Sequence, residues 1–259
     1  MNKKECEKQF NNIVKDYNKS EYFSDKLCPD QYICTIENVK NDYFDTAKRK
    51  NIFDQETLGV YKDNIPDAEN IFVAILESSH ISEHFEQLSK YKHGEMRENP
   101  SPAIGKYSGD TGSNIVKYIA EIFPNFSNYH LILMNAIPFQ CSLGAATQHF
   151  RYDVFQNAWA DKHIGAEFCK KRLTDFLNAL SSKNIVIVNA CTKGYNAAKD
   201  SDQRSFLWHL VQNSIETLTL DEEKTIRYFR INHPSSWARN KKNREIKDNR
   251  QITFPKTKK

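Results

Sequence analysis

Glu77 and His80 stand three residues apart in the run Leu76-Glu77-Ser78-Ser79-His80, and a second histidine opens His233-Pro234-Ser235-Ser236-Trp237. A carboxylate can orient a water and favour positive charge developing on a sugar, while an imidazole can donate a hydrogen bond to a leaving group that gathers negative charge. Asn135, in Leu133-Met134-Asn135, carries both a donor group and an acceptor, as pairing with the edge of a pyrimidine requires. The hydroxyls of Ser78, Ser79, Ser235 and Ser236 are suited to holding phosphates without reading sequence. Arg239, Lys241 and Lys242 follow directly after Trp237, and the stretch from Arg227 to Lys259 holds eleven Lys or Arg against two acids, Glu245 and Asp248. Such a block neutralises phosphates, or serves only as a solvated tail. Trp237 is a candidate wedge for a gap in a duplex, with a core tryptophan under the loop as its alternative. Lys193, in the polar run NACTKG, is a further cation for DNA.

Four short apolar runs must position these groups: 71–76 (IFVAIL), 130–137 (HLILMNAI), 184–190 (NIVIVNA) and 225–231 (TIRYFRI). Separated by amphipathic stretches at 113–123, 168–180 and 203–218, they read as parallel strands joined by helical crossovers. The expected fold is α/β, a three-layer sandwich with a central, mainly parallel four-stranded sheet. Residues 1–68 are expected to form an N-terminal helical extension, 69–240 the α/β domain, and 241–259 a basic C-terminal tail. In open α/β sheets a ligand binds beyond the carboxyl ends of the strands, and the four segments that follow these runs are the ones that collect Glu, His, Asn and Ser.

Composition narrows the rest. A chain of 259 residues with 39% hydrophobic and 12% aromatic residues can bury a sizeable core. Its six cysteines are scattered without a CxxC pair, so they are expected to be reduced, with no zinc, iron–sulfur or other metal site and no cofactor. The charged opening MNKKECEKQFNNIVKDY and the lack of any membrane-length apolar run predict a cytoplasmic protein with no membrane partner. A monomer is expected.

Taken in chain order, Leu76–His80, Asn135 and His233-Pro234-Ser235 resemble the uracil-DNA glycosylase superfamily. Its members carry a catalytic loop after the first core strand, a base-reading Asn at the end of the second, and an H-P-S loop after the last. Ser101-Pro-Ala-Ile-Gly105 resembles the P-F-V-G pocket segment of one branch. The resemblance spans roughly residues 70 to 240. It implies a monofunctional DNA glycosylase that hydrolyses the N-glycosidic bond of a flipped base, with DNA as partner. Within it Glu77, His80 and His233 are catalytic, and Asn135, Ala103 and Phe139 meet the base. The departures are specific: the catalytic loop lacks its Gly and Pro, and Ala103 replaces a stacking aromatic, which implies room for a bulky modified pyrimidine, such as those of phage DNA, rather than uracil alone. DNA repair and antiviral defence are both compatible roles. The alternatives are an inactive DNA-binding protein of the same fold and an α/β hydrolase of free nucleosides or nucleotides.

Overall fold

The computed structural model describes residues 2–17, 21–54, 56, 58–90, 92–107, 110–143, 150–180, 184–192 and 206–257. Its nine strands are β1 (Gln31–Thr35), β2 (Lys50–Asn51), β3 (Asn70–Ser79), β4 (Phe85–Ser89), β5 (Lys92–Met96), β6 (His130–Gln140), β7 (Asn184–Asn189), β8 (Lys224–Arg230) and β9 (Asp248–Phe254). The helices are α1 (Lys3–Val14), α2 (Val39–Asp42), α3 (Ile81–His84), α4 (Thr111–Ile122), α5 (Arg151–Ala160), α6 (Ala166–Ala179) and α7 (Leu207–Glu216). Seven strands make one sheet in the order β2-β1-β6-β3-β7-β8-β9, and β4 pairs with β5 in a separate hairpin.

The central four, β6-β3-β7-β8, are parallel and coincide with the four apolar runs of the sequence. Because successive side chains leave a strand on opposite faces, Ile71, Val73 and Ile75 of β3 pack in one cluster with α1, α5, α6 and α7. Phe72, Ala74 and Leu76 enter a second cluster with residues of α2 and α4 on the other face. Both faces of β3, β6 and β7 are thus covered, which is why they read as nearly continuous apolar runs, whereas β8 leaves Thr225 and Arg227 exposed.

The expected four-stranded sheet is corrected to seven. β1 runs antiparallel to β6, β2 pairs with β1, and β9 runs antiparallel to β8 along its whole length, from Lys224↔Phe254 to Arg230↔Asp248. These strands lie toward the edges. In β9 only Phe254 is buried, so its sequence DNRQITF carries no apolar run to announce a strand. Residues 1–68, expected as a helical extension, therefore supply two strands of the sheet as well as α1 and α2, and residues 241–259 supply β9 rather than a free tail.

The topology selects the place for a ligand. The connection leaving β3 runs over the face that holds α4, whereas those leaving β6 and β7, on either side of it, run over the face of α5, α6 and α7. Chains that part in opposite directions open a crevice, and here it lies at the carboxyl end of β3.

Candidate active site

At that end β3 carries Glu77, Ser78 and Ser79 straight into α3. His80 caps this short helix: its Nδ1 accepts from the Ser82 N–H at 3.3 Å and lies 3.0 Å from Ser82 Oγ. The loop after β8 repeats the device. His233 caps the turn Pro234–Ser236, with Nδ1 accepting from the Ser235 N–H at 3.3 Å and 2.9 Å from Ser235 Oγ. An Nδ1 that accepts from a backbone N–H cannot itself carry the proton, so each ring is neutral with its proton on Nε2. Burial, followed by repulsion from the Arg151 guanidinium, pushes His80 down to about 4 and His233 down to about 3. Repulsion between the two imidazoles adds to the shift of His233. At neutral pH the site therefore offers two Nε2–H donors and no imidazolium.

Arg151, the first residue of α5, reaches across to Glu77. Its Nε lies 2.5 Å from Glu77 Oε1. The Glu77 side chain is completely buried, and its other oxygen accepts from the Thr192 N–H at 3.2 Å and from the Thr192 hydroxyl. Three of about four lone-pair directions on this carboxylate are thus used by the described residues.

Asn135 sits in the middle of β6, paired in register with Leu76, on the face opposite Glu77. It is 1% exposed. Its Nδ2 donates to Glu83 Oε2 at 3.1 Å and faces Cys28 Sγ at 3.7 Å, while its Oδ1 takes no partner among the described residues. Glu83, on α3, is 2% exposed and also receives the backbone N–H groups of His80 and Ala103. Burial raises its carboxyl to about 7 against those hydrogen bonds, which pull the other way. Ala103 adopts a left-handed backbone (φ 49°), and its carbonyl accepts from the Tyr43 hydroxyl at 3.1 Å. The same carbonyl fixes Gly112 at the start of α4, where an added Cβ would lie 2.1 Å from it.

The remaining expected site residues fall into three groups. Ser79 Oγ is held at 2.7 Å by His84 Nε2, Ser235 Oγ by His233, and Ser236 Oγ donates to the His233 carbonyl at 2.8 Å, so these hydroxyls build the loops. Ser78 is half-buried at the strand end, and Arg239, Lys241 and Lys242 are exposed with no side-chain partner among the described residues. Lys193 lies outside the described residues.

Two aromatics are corrected. Trp237 is 3% exposed in the cluster beneath α4, and its indole N–H donates to the Asn232 carbonyl at 2.7 Å. It underpins the loop instead of projecting as a wedge. Phe139 is fully buried on the α1 face, stacked on Phe10 with ring centroids 4.7 Å apart, so its ring is committed to the core and not to a base.

Arg151, Glu83 and Cys28 were not legible as site residues. Glu83 alone left a trace, three residues after the capping His80, in the spacing by which a side chain reaches back to a cap N–H.

A groove of about 400 Å³ lies on the far side of the Ser101–Ala103 segment, bounded by Arg49, Glu86, Glu95, Arg97, Glu98 and Ser101. It contains none of the two capping histidines, Arg151 or Asn135, and its mixed charges converge on no single acceptor or donor. Among the described residues no group of three or more His, Cys, Asp or Glu side chains is placed to hold a metal ion, and no helix is long and apolar enough to cross a membrane. All six cysteines are free thiols. Comparison with family models, with curated proteins and with solved structures returns no match.

Proposed function

We propose that this protein is a DNA glycosylase that hydrolyses the N-glycosidic bond of a flipped, damaged or modified base. The observation that carries the reading is His233, held neutral with its donor at Nε2 beside the carboxyl end of β3. A departing base takes the electron pair of the C1′–N bond, and the negative charge gathers on its carbonyl oxygen. A fixed neutral N–H donor stabilises that charge without surrendering a proton. The sugar left behind is oxocarbenium-like, and the buried Glu77 carboxylate favours it through its negative charge while a water in the crevice attacks. The water oxygen bonds to C1′ and loses a proton to solvent, while the base anion gains one, leaving an abasic site and a free base.

Arg151 is paired with Glu77 through its Nε in that dry setting, and its guanidinium is the group by which a phosphate can be met. The exposed Arg239, Lys241 and Lys242 extend that positive surface along the flanking backbone. Unstacking the base costs a few kcal/mol, which these phosphate contacts offset. On the resemblance, Ala103 takes the place of a stacking aromatic, which makes a pyrimidine with a bulky 5-substituent the favoured base, as in modified viral DNA, with uracil as the small-base alternative.

The test is a panel of oligonucleotides bearing uracil, oxidised or alkylated bases and bulky modified cytosines, assayed for alkali-labile abasic sites. Native protein should release at least one of them, and His233→Gln and Asn135→Ala should each lose on the order of a hundredfold in rate. The Glu77–Arg151 pairing favours one second reading, a DNA-binding protein of this fold without chemistry. Salt-dependent DNA binding with no abasic sites on any substrate would establish it.

A further inference from the structure

We propose that Glu83 decides which bases the site accepts, by holding the Asn135 amide so that the pocket presents a hydrogen-bond acceptor to a base that donates an N–H group. The proposal rests on the glycosylase reading only for the identity of the ligand as a base. Asn135 has two amide hydrogens, one directed at Glu83 Oε2 and one at Cys28 Sγ. Turning the amide over would aim Oδ1 at the Glu83 carboxylate, oxygen against oxygen, in a place where neither group sees solvent. The carboxylate therefore fixes the orientation.

The other end of the amide, Oδ1, is left as a buried acceptor, in a residue 1% exposed, with no partner among the described residues. A buried acceptor left unmade is costly, so a ligand that supplies an N–H gains where one that supplies a carbonyl does not. The matching chemistry is an imide N–H or an exocyclic amino group of a pyrimidine. The hydrogen bonds from His80 N–H and Ala103 N–H hold the Glu83 carboxylate in place and tie this selection to the catalytic turn at His80 and to the Ala103 segment.

The orientation responds to pH. Glu83 titrates near 7, its carboxyl raised by burial. Once protonated it can donate to Oδ1 instead, and the amide is free to turn and present Nδ2. The neighbours that face Glu83 do not confound this between pH 6 and 8. His80 on the same turn is neutral down to about 4, lowered by burial and then by Arg151, and burial raises both the Cys28 thiol and the Tyr43 hydroxyl across the site. The Arg49 guanidinium lies 4.9 Å from the Tyr43 ring.

The test uses the full chain and free bases, read by ligand-observed NMR. Uracil is compared with 3-methyluracil, and cytosine with N4,N4-dimethylcytosine. At pH 8 at least one unmethylated base should bind about tenfold or more tighter than its methylated partner, the first pair reporting an imide and the second an amino group. The ratio should shrink at pH 6, and in Glu83→Gln it should fall to below about threefold and lose its pH dependence. Equal binding of both members of each pair, no binding by any base, or a ratio unchanged in Glu83→Gln each overturns the proposal. Should Glu83→Gln fail to fold, the pH series on native protein decides alone. Base binding with the expected preference but no abasic site on any oligonucleotide would overturn the glycosylase reading and leave this one standing.

Discussion

Replacing Arg151 with methionine takes the cation from a carboxylate that has no access to solvent. Glu77 is 0% exposed, its Oε1 is held by Arg151 at 2.5 Å, and only the two neutral donors of Thr192 remain on Oε2. Removing one member of a buried pair costs about 3–5 kcal/mol because the other is left charged and unpaired, far more than the 0–1 kcal/mol of an exposed pair. For a chain of this size that corresponds to a melting point lower by roughly 6–15 °C. Removing the charge as well, in the double variant with Glu77→Gln, should restore stability to within about 2 kcal/mol of native. Urea denaturation of the four proteins gives the coupling energy directly, expected at about 2–3 kcal/mol. A single variant within 1 kcal/mol of native, or a double variant no better than Arg151→Met, would refute the buried-pair account.

Three further outcomes follow from the same geometry. Substituting Arg239, Lys241 and Lys242 together with alanine should flatten the log–log salt dependence of duplex binding by roughly 2–3, with melting unaltered, as measured by fluorescence anisotropy from low to moderate salt. Trp237→Ala should cost about 3–5 kcal/mol in stability, because the indole is core; a stable variant with weakened DNA binding would restore the wedge. Acid should destabilise the fold. His80, His84 and His233 titrate at about 4, 3 and 3, lowered chiefly by burial, so the unfolded chain takes up protons below about 6.5 while the native one does not. Stability is complete above that value and is lost as pH falls, about 2 kcal/mol per histidine by pH 5. Glu83 works in the opposite sense: its raised carboxyl gives stability that is lost as pH rises from about 4.5 to 7. Three groups outweigh one, so the urea midpoint should be lower at pH 5 than at pH 7.

How much of this was legible in the sequence follows from what each residue's neighbours are. β3, β6 and β7 could be read because helices cover both of their faces, and a strand buried on both sides has to be apolar nearly throughout; β8 could be read from the buried Ile226, Tyr228 and Phe229 in its short run. β2 and β9 could not, since they lie at the two edges and carry polar residues toward solvent, and β1 is a five-residue run of mixed polar and apolar residues; β9 looked like part of a tail because every residue of it but Phe254 is at least partly exposed. His80, His233 and Glu77 were legible because they follow directly from strand ends, where chain direction alone places them.

Arg151 and Glu83 were not, because membership of the site comes to them through helices whose placement depends on crossovers that sequence does not specify. The aromatics misled for a related reason. Trp237 and Phe139 have side chains that suit either a base or a core, and the deciding facts, the Asn232 carbonyl and the Phe10 ring, lie in partners rather than in the residues themselves. The two histidine caps show the converse. In His80-Ile-Ser82 and His233-Pro-Ser235 the serine two positions on is local, so the tautomer of each imidazole is written within three residues. What those three residues cannot encode is the burial that keeps the rings neutral. That comes from α5 and the sheet, and it is why the same short motif on an open loop would carry none of this chemistry.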